Sequence, residues 1–452
     1  MLPLLTLYSA SENNSALIRE CALDEHSLVS NAATGAYLSC RDLFRGKRVL
    51  FVVGKGNNGS DALALASLVT SVARSVSVYC HFPDGSVENM RRRLQLEPSL
   101  FVDEMRPADV IVDGLFGVKC RLPLDERTED IVSFINSSGA VVIALDVPSA
   151  FRVRADYTIS FMCPKKEMYL PQNRASCGKI ILFNPGFPEG RIRGDGKTFL
   201  LTGSDYFSPP IPLDGYKNTR GHVCIAGGSE RYPGAPLISS LAAFHSGAGK
   251  VTILSTEAVR KRVLASHPSL MFADEGTPLT QYDSFVAGPG WDEGSREILE
   301  RISQSGKNYV VDADAIKLLP GLKTGGRAVI TPHAGEFGKL LALLGFDEGD
   351  IIRNAERTAL ELECVVVLKG VTTIITDGSL LYIADGANPS LGVAGSGDVL
   401  SGVIGAFLAY GLAPLTAAVN GVLLHQISGR AAEEEYGFYS AEDLIKEIGR
   451  NR

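Results

Sequence analysis

Three aspartates stand where an apolar run meets a turn marked by glycine or proline: Asp113 in VDGLFG, Asp146 in ALDVPSA and Asp398 in VAGSGDVLSG. A carboxylate at such a junction can take a proton from a hydroxyl, hold a cation, or cap the turn that follows. The turn before Asp398, Gly395-Ser396-Gly397, runs straight into an apolar helical pattern. Its backbone N–H groups and the positive end of the helix form a concave site suited to phosphate oxygens. Asp398 is therefore either an N-cap or a general base for a hydroxyl. Earlier in the chain, Gly54-Lys55-Gly56-Asn57-Asn58-Gly59 satisfies G-x-G-x-x-G. A dinucleotide fold also needs an acidic residue about twenty positions on, at the end of the second strand. Here that run ends Tyr79-Cys80-His81, and Asp84 comes late, inside a turn-like PDG. Asn57 and Asn58 instead offer carbonyl oxygens and amides suited to polar ligand contacts and to a hard monovalent cation.

Asp398 has companions in GHVCIAGGSERYPGAP (221–236), AGPGWDEG (287–294), VVDADAIKLL (310–319), VITPHAGEFGKLL (329–341) and VVVLKGVTTIITDG (365–378). Each sets Gly, Asp, His or Lys just after a strand-like run, where an open α/β sheet exposes its site. Singly they read as turns or caps, and His333 as a packed or surface histidine. In order, and ending in G-S-G-D, they read as one site.

The elements that must carry these residues alternate. VLFVV (49–53), VSVYC (76–80), DVIVD (109–113) and VVIALD (141–146) read as buried strands, with helical spacing over 60–73, 86–96 and 125–137. That order predicts a mostly parallel sheet with helices on both faces. From about residue 183 to 221 the chain is rich in Gly, Pro and Asp, which predicts a domain boundary. Strand-like HVCIA, VTIL, SFVAG, YVVDA, RAVIT, CVVVLKG and TTIIT follow, so both halves are α/β.

A net charge of −7 with no basic stripe argues against a nucleic-acid or anionic-membrane partner. Eight cysteines without C-x-x-C spacing read as reduced core thiols, and the short N-terminal patch LPLLTL lacks the positive flank of a signal peptide, so the expected location is cytoplasmic. The charge-free run from Val399 to Leu424 is interrupted by Gly402, Gly405, Gly411, Pro414, Asn420 and Gly421, and predicts two buried helices in place of a membrane span.

With these motifs in place, residues 215–452 resemble the dehydratase domain of the NAD(P)H-hydrate repair enzymes, a branch of the ribokinase-like fold. Residues 5–200, through GNNGSD, VDGLFGVKCRLP, ALDVPSA and an early ALDEHSL, are similar to the epimerase domain fused to it in many bacterial members. The resemblance implies two three-layer α/β domains, a Rossmann-like one over 1–205 and a ribokinase-like one over 206–452. The first would exchange the R and S epimers of hydrated NADH and NADPH. The second would dehydrate the S form at the expense of ADP or ATP, with Mg2+ accompanying the nucleotide; a bacterial-style fusion suggests ADP.

By the same resemblance Asn57, Asn58, Gly59, Ser60 and Asp61, with the loop Gly117, Val118, Lys119, Cys120, Arg121, Leu122 and Pro123, bind hydrated dinucleotide in the first domain. Asp146 contacts it and does the acid/base work. Asn58, Asp113 and Ser149 supply oxygens to K+. In the second domain Ala235, Gly290, His333 and Asp398 contact substrate, with Asp398 as base. Lys369, Gly370, Val371, Thr372, Thr373 and Gly397 hold the nucleotide. The low-charge helices of the second half could support a homo-oligomer, a state the sequence does not fix.

The chain departs from the family at Ser60, Ala62 and Ala150, where glycine is common, and in a shorter segment after Ala150. An added Cβ can block a positive φ or a close approach, which predicts a trimmed first site or weakened epimerisation. Lys165 or Lys166 matches a lysine common in the family. Two other readings compete: a ribokinase-like small-molecule kinase, and a dehydratase whose first domain only binds ligand.

Overall fold

The computed structural model describes residues 1–81, 85–120, 122–211, 213–264, 266–386 and 388–452. Arg121 and Asp84 therefore lie outside the described residues. The chain divides into two compact units, Leu2–Thr198 and Phe199–Arg452, the latter taking in Met1.

In the first unit, seven short hydrophobic runs form the strands β1 (Arg48–Val53), β2 (Ser75–Cys80), β3 (Phe101–Val102), β4 (Val110–Gly114), β5 (Val141–Leu145), β6 (Tyr157–Phe161) and β7 (Lys179–Phe183). Their spatial order is 3-2-1-4-5-6-7, and every recorded pairing is parallel. Side chains alternate along a strand, so both faces must be covered. Val49, Phe51 and Val53 pack on one face with Ala36, Phe44 and Leu65, whereas Leu50 and Val52 join Ile131, Val132 and Ile135 on the other. The covering helices are α2 (Glu25–Phe44), α3 (Gly56–Val69) and α4 (Glu126–Ser137), while α1 (Leu7–Glu20) packs through Ala10 with Leu5 and Cys163. The order reverses between β1 and β4, and there an open α/β sheet leaves a crevice at its carboxyl edge. Register pairs Val52 with Asp113 and Val53 with Gly114, so GKGNNGSD and VDGLFG leave the sheet side by side.

The second unit carries β8 (His222–Ala226), β9 (Lys250–Leu254), β10 (Met271–Ala273), β11 (Ser284–Ala287), β12 (Asn308–Val311), β13 (Ala328–Ile330), β14 (Val365–Leu368), β15 (Thr373–Thr376) and β16 (Leu381–Ala384). These run in the order 10-9-8-11-12-13-14-15-16, parallel up to β14 and antiparallel from β14 to β16. Helices α5 (Gly234–His245), α6 (Ala334–Leu344), α7 (Ser396–Ala409), α8 (Pro414–Tyr436) and α9 (Ala441–Asn451) pack with this sheet. Gly402 is required where α7 meets α5, since a Cβ there would lie 2.1 Å from the Ser239 carbonyl oxygen. The apolar run from Val399 to Leu424 is two buried helices broken around Gly411, whose φ is +90°. Among the described residues no helix is long and apolar enough to cross a membrane.

Candidate active sites

At the first crevice Asp113 ends β4 and is fully buried. Its Oδ1 accepts from the Ser149 hydroxyl at 2.6 Å and the Leu115 N–H at 3.1 Å, and its Oδ2 from the Ser149 N–H at 2.8 Å. Burial pushes this carboxyl upward, and the Ser149 bonds pull it back. None of these partners is a cationic side chain. The Asn58 side chain, in the first turn of α3, is buried with neither its amide nitrogen nor its oxygen partnered. A buried carboxylate without a countercharge and a buried amide without a partner are each costly alone. Asp113, Ser149 and the Asn58 amide oxygen could together hold a monovalent cation with oxygen ligands.

Asp146 follows β5 with φ +65° and does not cap the next turn. Instead its Oδ1 accepts from Lys165 Nζ at 2.5 Å. Lys165 is buried and donates also to Ser160 Oγ at 2.9 Å and the Phe161 carbonyl at 2.6 Å, so it, and not Lys166, reaches the site. Burial pushes the Asp61 carboxyl well above its ordinary value, and the charge of Asp146 adds to this. The loop after β4 closes over the group: a Cβ on Gly117 would stand 3.2 Å from Asp146 Oδ2 and 3.6 Å from Asn58 Cβ.

A cavity of about 550 Å³ opens here, lined by Asn57, Asn58, Asp61, Gly117, Val118, Lys119, Asp146 and Lys165. The other expected residues that are described do not line it. Gly59 and Ser60 are buried within α3, Cys120 is part-buried, and Leu122 is exposed beside Pro123. Gly59 is needed for packing, because a Cβ would fall 2.1 Å from the Gly54 carbonyl oxygen.

The departures from glycine divide. Ser60 and Ala62 are ordinary helical residues of α3, where a Cβ costs nothing in φ. Ala150 does adopt the left-handed conformation, φ 56° and ψ 11°. That conformation costs a non-glycine residue about 1–2 kcal/mol, of which glycine returns about half after its larger unfolded-state entropy is counted. Ala150→Gly is therefore expected to raise stability by about 0.5–1 kcal/mol, read from the urea midpoint at constant slope.

In the second unit Asp398 is the third residue of α7, behind Gly395 with φ +89°. It does not cap the helix: among the described residues its carboxylate accepts no hydrogen bond. Burial drives the carboxyl up to about 7, Asp312 and Glu336 adding to the shift and Lys369 opposing it. Lys369 leaves β14 and donates from Nζ to Asp312 Oδ1 at 3.1 Å. A Cβ on Gly397 would lie 3.1 Å from that ammonium, so the glycine turn admits the lysine. Asp312 directly follows β12 and is buried; its motif was legible, but nothing in the sequence alone singles it out from Asp314.

His333 accepts at Nδ1 from the N–H groups of Gly335 (3.0 Å) and Glu336 (3.3 Å), while Glu336 accepts the His333 N–H at 2.8 Å. It is thus the N-cap of α6 in a capping box. Its side chain is largely exposed, and the chain there runs beside Lys369, whose N–H donates to the Pro332 carbonyl. Gly290, φ +67°, lies against the start of α5: a Cβ would be 2.6 Å from the Tyr232 carbonyl oxygen and 3.0 Å from Ala235 Cβ. Of Gly370–Thr373, Thr372 and Thr373 are buried and Val371 is exposed.

Residues 223–450 match the family described as NAD(P)H-hydrate dehydratase, and residues 25–167 match the family described as YjeF-related protein N-terminus. A bifunctional NAD(P)H-hydrate repair enzyme of Coxiella burnetii is 30% identical over 92% of this chain and 92% of its own length. One of Archaeoglobus fulgidus is 29% identical over 93% of this chain and 92% of its own. A ribokinase-like superfamily protein of Enterococcus faecalis superposes with a TM-score of 0.51 at 25% identity, covering 56% of this chain and 94% of that one. The order of the two matched regions, their span and the likeness to full-length relatives agree: the chain belongs to the bifunctional NAD(P)H-hydrate repair enzymes.

Proposed function

We propose that the second unit carries out the dehydration at Asp398, and that ADP or ATP is its phosphate donor. The observation that carries this reading is a buried carboxyl pushed up to about 7, with no hydrogen bond among the described residues, at a glycine-rich helix start beside the Lys369–Asp312 pair. A base poised near the working pH removes protons efficiently. As the ring hydroxyl attacks the terminal phosphorus, its proton passes to Asp398 and the phosphorus–oxygen bond to the nucleotide breaks. The new phosphate ester then leaves as phosphate, assisted by the ring nitrogen, and loss of a proton from the adjacent carbon restores the reduced ring. Lys369 and the N–H groups of Gly395–Gly397 stabilise the transferring phosphoryl. Asp312 holds Lys369 in place. Ala235, Gly290 and His333 border the hydrated dinucleotide, and Lys369–Thr373 with Gly397 border the nucleotide. Mg2+ would enter on the nucleotide phosphates, as it commonly does.

In the first unit Asp146, held by Lys165, moves the proton that lets the hydroxyl-bearing carbon exchange its two configurations. Asn57, Asn58, Asp61, Gly117 and Val118 surround the ring. Asn58, Asp113 and Ser149 would hold K+, which would supply a fixed positive charge to the site. Replacing K+ by N-methylglucamine at equal ionic strength is expected to slow epimer exchange by about tenfold, and Asn58→Leu to abolish that dependence. Equal rates in both salts would remove the ion from the site.

The test of the whole is a mixture of both epimers of hydrated NADH with ADP or ATP, followed by reduced-nicotinamide absorbance. Recovery of the full amount is expected. No recovery with either nucleotide sinks the reading, and a stable phosphorylated product would make the second unit a kinase.

A further inference from the structure

One wall of the first cavity belongs to no motif considered so far. Helix α1 presents Ser11, Asn14, Ser15, Ile18 and Arg19 to it, the i, i+3, i+4, i+7, i+8 spacing of a single helix face. Such a stripe facing protein is ordinarily apolar; here it carries two hydroxyls, an amide and a guanidinium. Ser67 and Ser137 on other helices return their hydroxyls to a carbonyl of their own helix. Ser11, Asn14 and Ser15 have no side-chain hydrogen bond among the described residues.

The helix is pinned so that this face stays turned inward. Thr6 caps it by accepting the Ser9 N–H, and the Leu7 N–H donates to Glu167 at 2.9 Å. On another face Asn13 exchanges two hydrogen bonds with the backbone of Arg193. The Lys166 N–H donates to the Leu5 carbonyl, tying the same segment to the neighbour of Lys165.

Charge is graded through the cavity. Asp61, Asp146 and buried Lys165 lie deep, whereas Arg19, Lys55 and Lys119 are exposed at the rim with no ion pair among the described residues; Glu25 is the rim's carboxylate. Three unpaired cations around one opening, on a chain of net charge −7, attract an anion.

Resting on the epimerase reading above, we propose that the inner face of α1 is a dinucleotide subsite in which Arg19, with Lys55 and Lys119, binds the pyrophosphate and Ser11, Asn14 and Ser15 bind the adjoining ribose. The hydrated ring then reaches Asp146.

The test starts from a single epimer of hydrated NADH without nucleotide, so that dehydration is silent, and follows the epimer ratio by NMR in the full chain. Arg19→Ala is expected to raise KM about tenfold with kcat kept, the size of one lost charge-assisted contact. Hydrated nicotinamide riboside, which has no phosphate, should lose nothing, and dehydration of the accepted epimer should stay at the parent rate. An unchanged KM overturns the proposal. A loss confined to hydrated NADPH also overturns it, giving Arg19 to the 2′-phosphate. A parent that does not epimerise sinks the catalytic reading instead. The subsite is then decided by amide exchange: hydrated NADH protects residues 7–20 in the parent and not in Arg19→Ala, or the proposal falls.

Discussion

Asp398→Asn is expected to lower dehydration by about 10²- to 10⁴-fold, the span lost when a positioned general base is removed, with KM for the nucleotide little changed. Asparagine keeps the shape, and no hydrogen bond of the carboxylate is lost. Relief of the repulsion from Asp312 should leave the fold at least as stable. The parent supplies a second readout in its pH profile. The base must be ionised, and burial has raised its pKa to about 7, so the rate falls as pH drops through that value and is flat above it. Well below it the fall approaches tenfold per pH unit. Lys369 opposes the shift, so Lys369→Met should move this limb to higher pH as well as slow phosphoryl transfer. An Asp398→Asn variant with full activity would take the base assignment away; an acid limb near the ordinary carboxylate range would show that the ionising group is another one.

Asp146→Asn is expected to lower epimer exchange by a comparable 10²- to 10⁴-fold while dehydration of the accepted epimer proceeds at the parent rate. With mixed epimers and nucleotide, recovery should then stop at the fraction first present as the accepted form, apart from slow spontaneous exchange. The charge arithmetic supports a specific loss. Lys165 faces Asp146 at 2.5 Å, and burial, with the charge of Asp146 adding to it, pushes the Asp61 carboxyl well above its ordinary range. Neutralising Asp146 removes that repulsion, lowers the Asp61 pKa, and leaves Lys165 bonded to Ser160 and Phe161. The cavity therefore survives the change while its proton carrier does not. Complete recovery by this variant at the parent's pace would move the acid/base role to another group, with Asp61 the nearest alternative.

The strands that carry the sites were legible because each is a short β-branched run buried on both faces, and burial on both faces leaves no polar positions to blur the signal. Val49–Val53 and Val365–Leu368 are of this kind. Helices α1 and α2 were not delineated from sequence. Their buried positions are mostly small, Ala10 in α1 and Ala32, Ala33, Ala36 and Cys40 in α2, and Gly35 meets the ring of Phe183 closely enough that no side chain would fit. Small residues packed at close range give weak hydrophobic periodicity. The cavity wall on α1 was missed for that reason, since its inner face is polar and reads as a solvated surface.

By itself the sequence determined the alternation of elements, the two α/β halves, and the residue types at each strand end, because these depend on local pattern and on φ preferences carried by glycine. It left open which of two adjacent lysines enters the site, whether Asp146 and Asp398 are caps, and which departure from glycine matters. Only the tertiary structure decided these. Lys165 is singled out by its bonds to Asp146, Ser160 and the Phe161 carbonyl, and Ala150 is set apart from Ser60 and Ala62 by its left-handed backbone. The near-neutral pKa of Asp398 comes from burial and from Asp312, which is remote in the chain and is brought in by the sheet order. Such field and burial effects sum over neighbours in space, and no local window of sequence contains them.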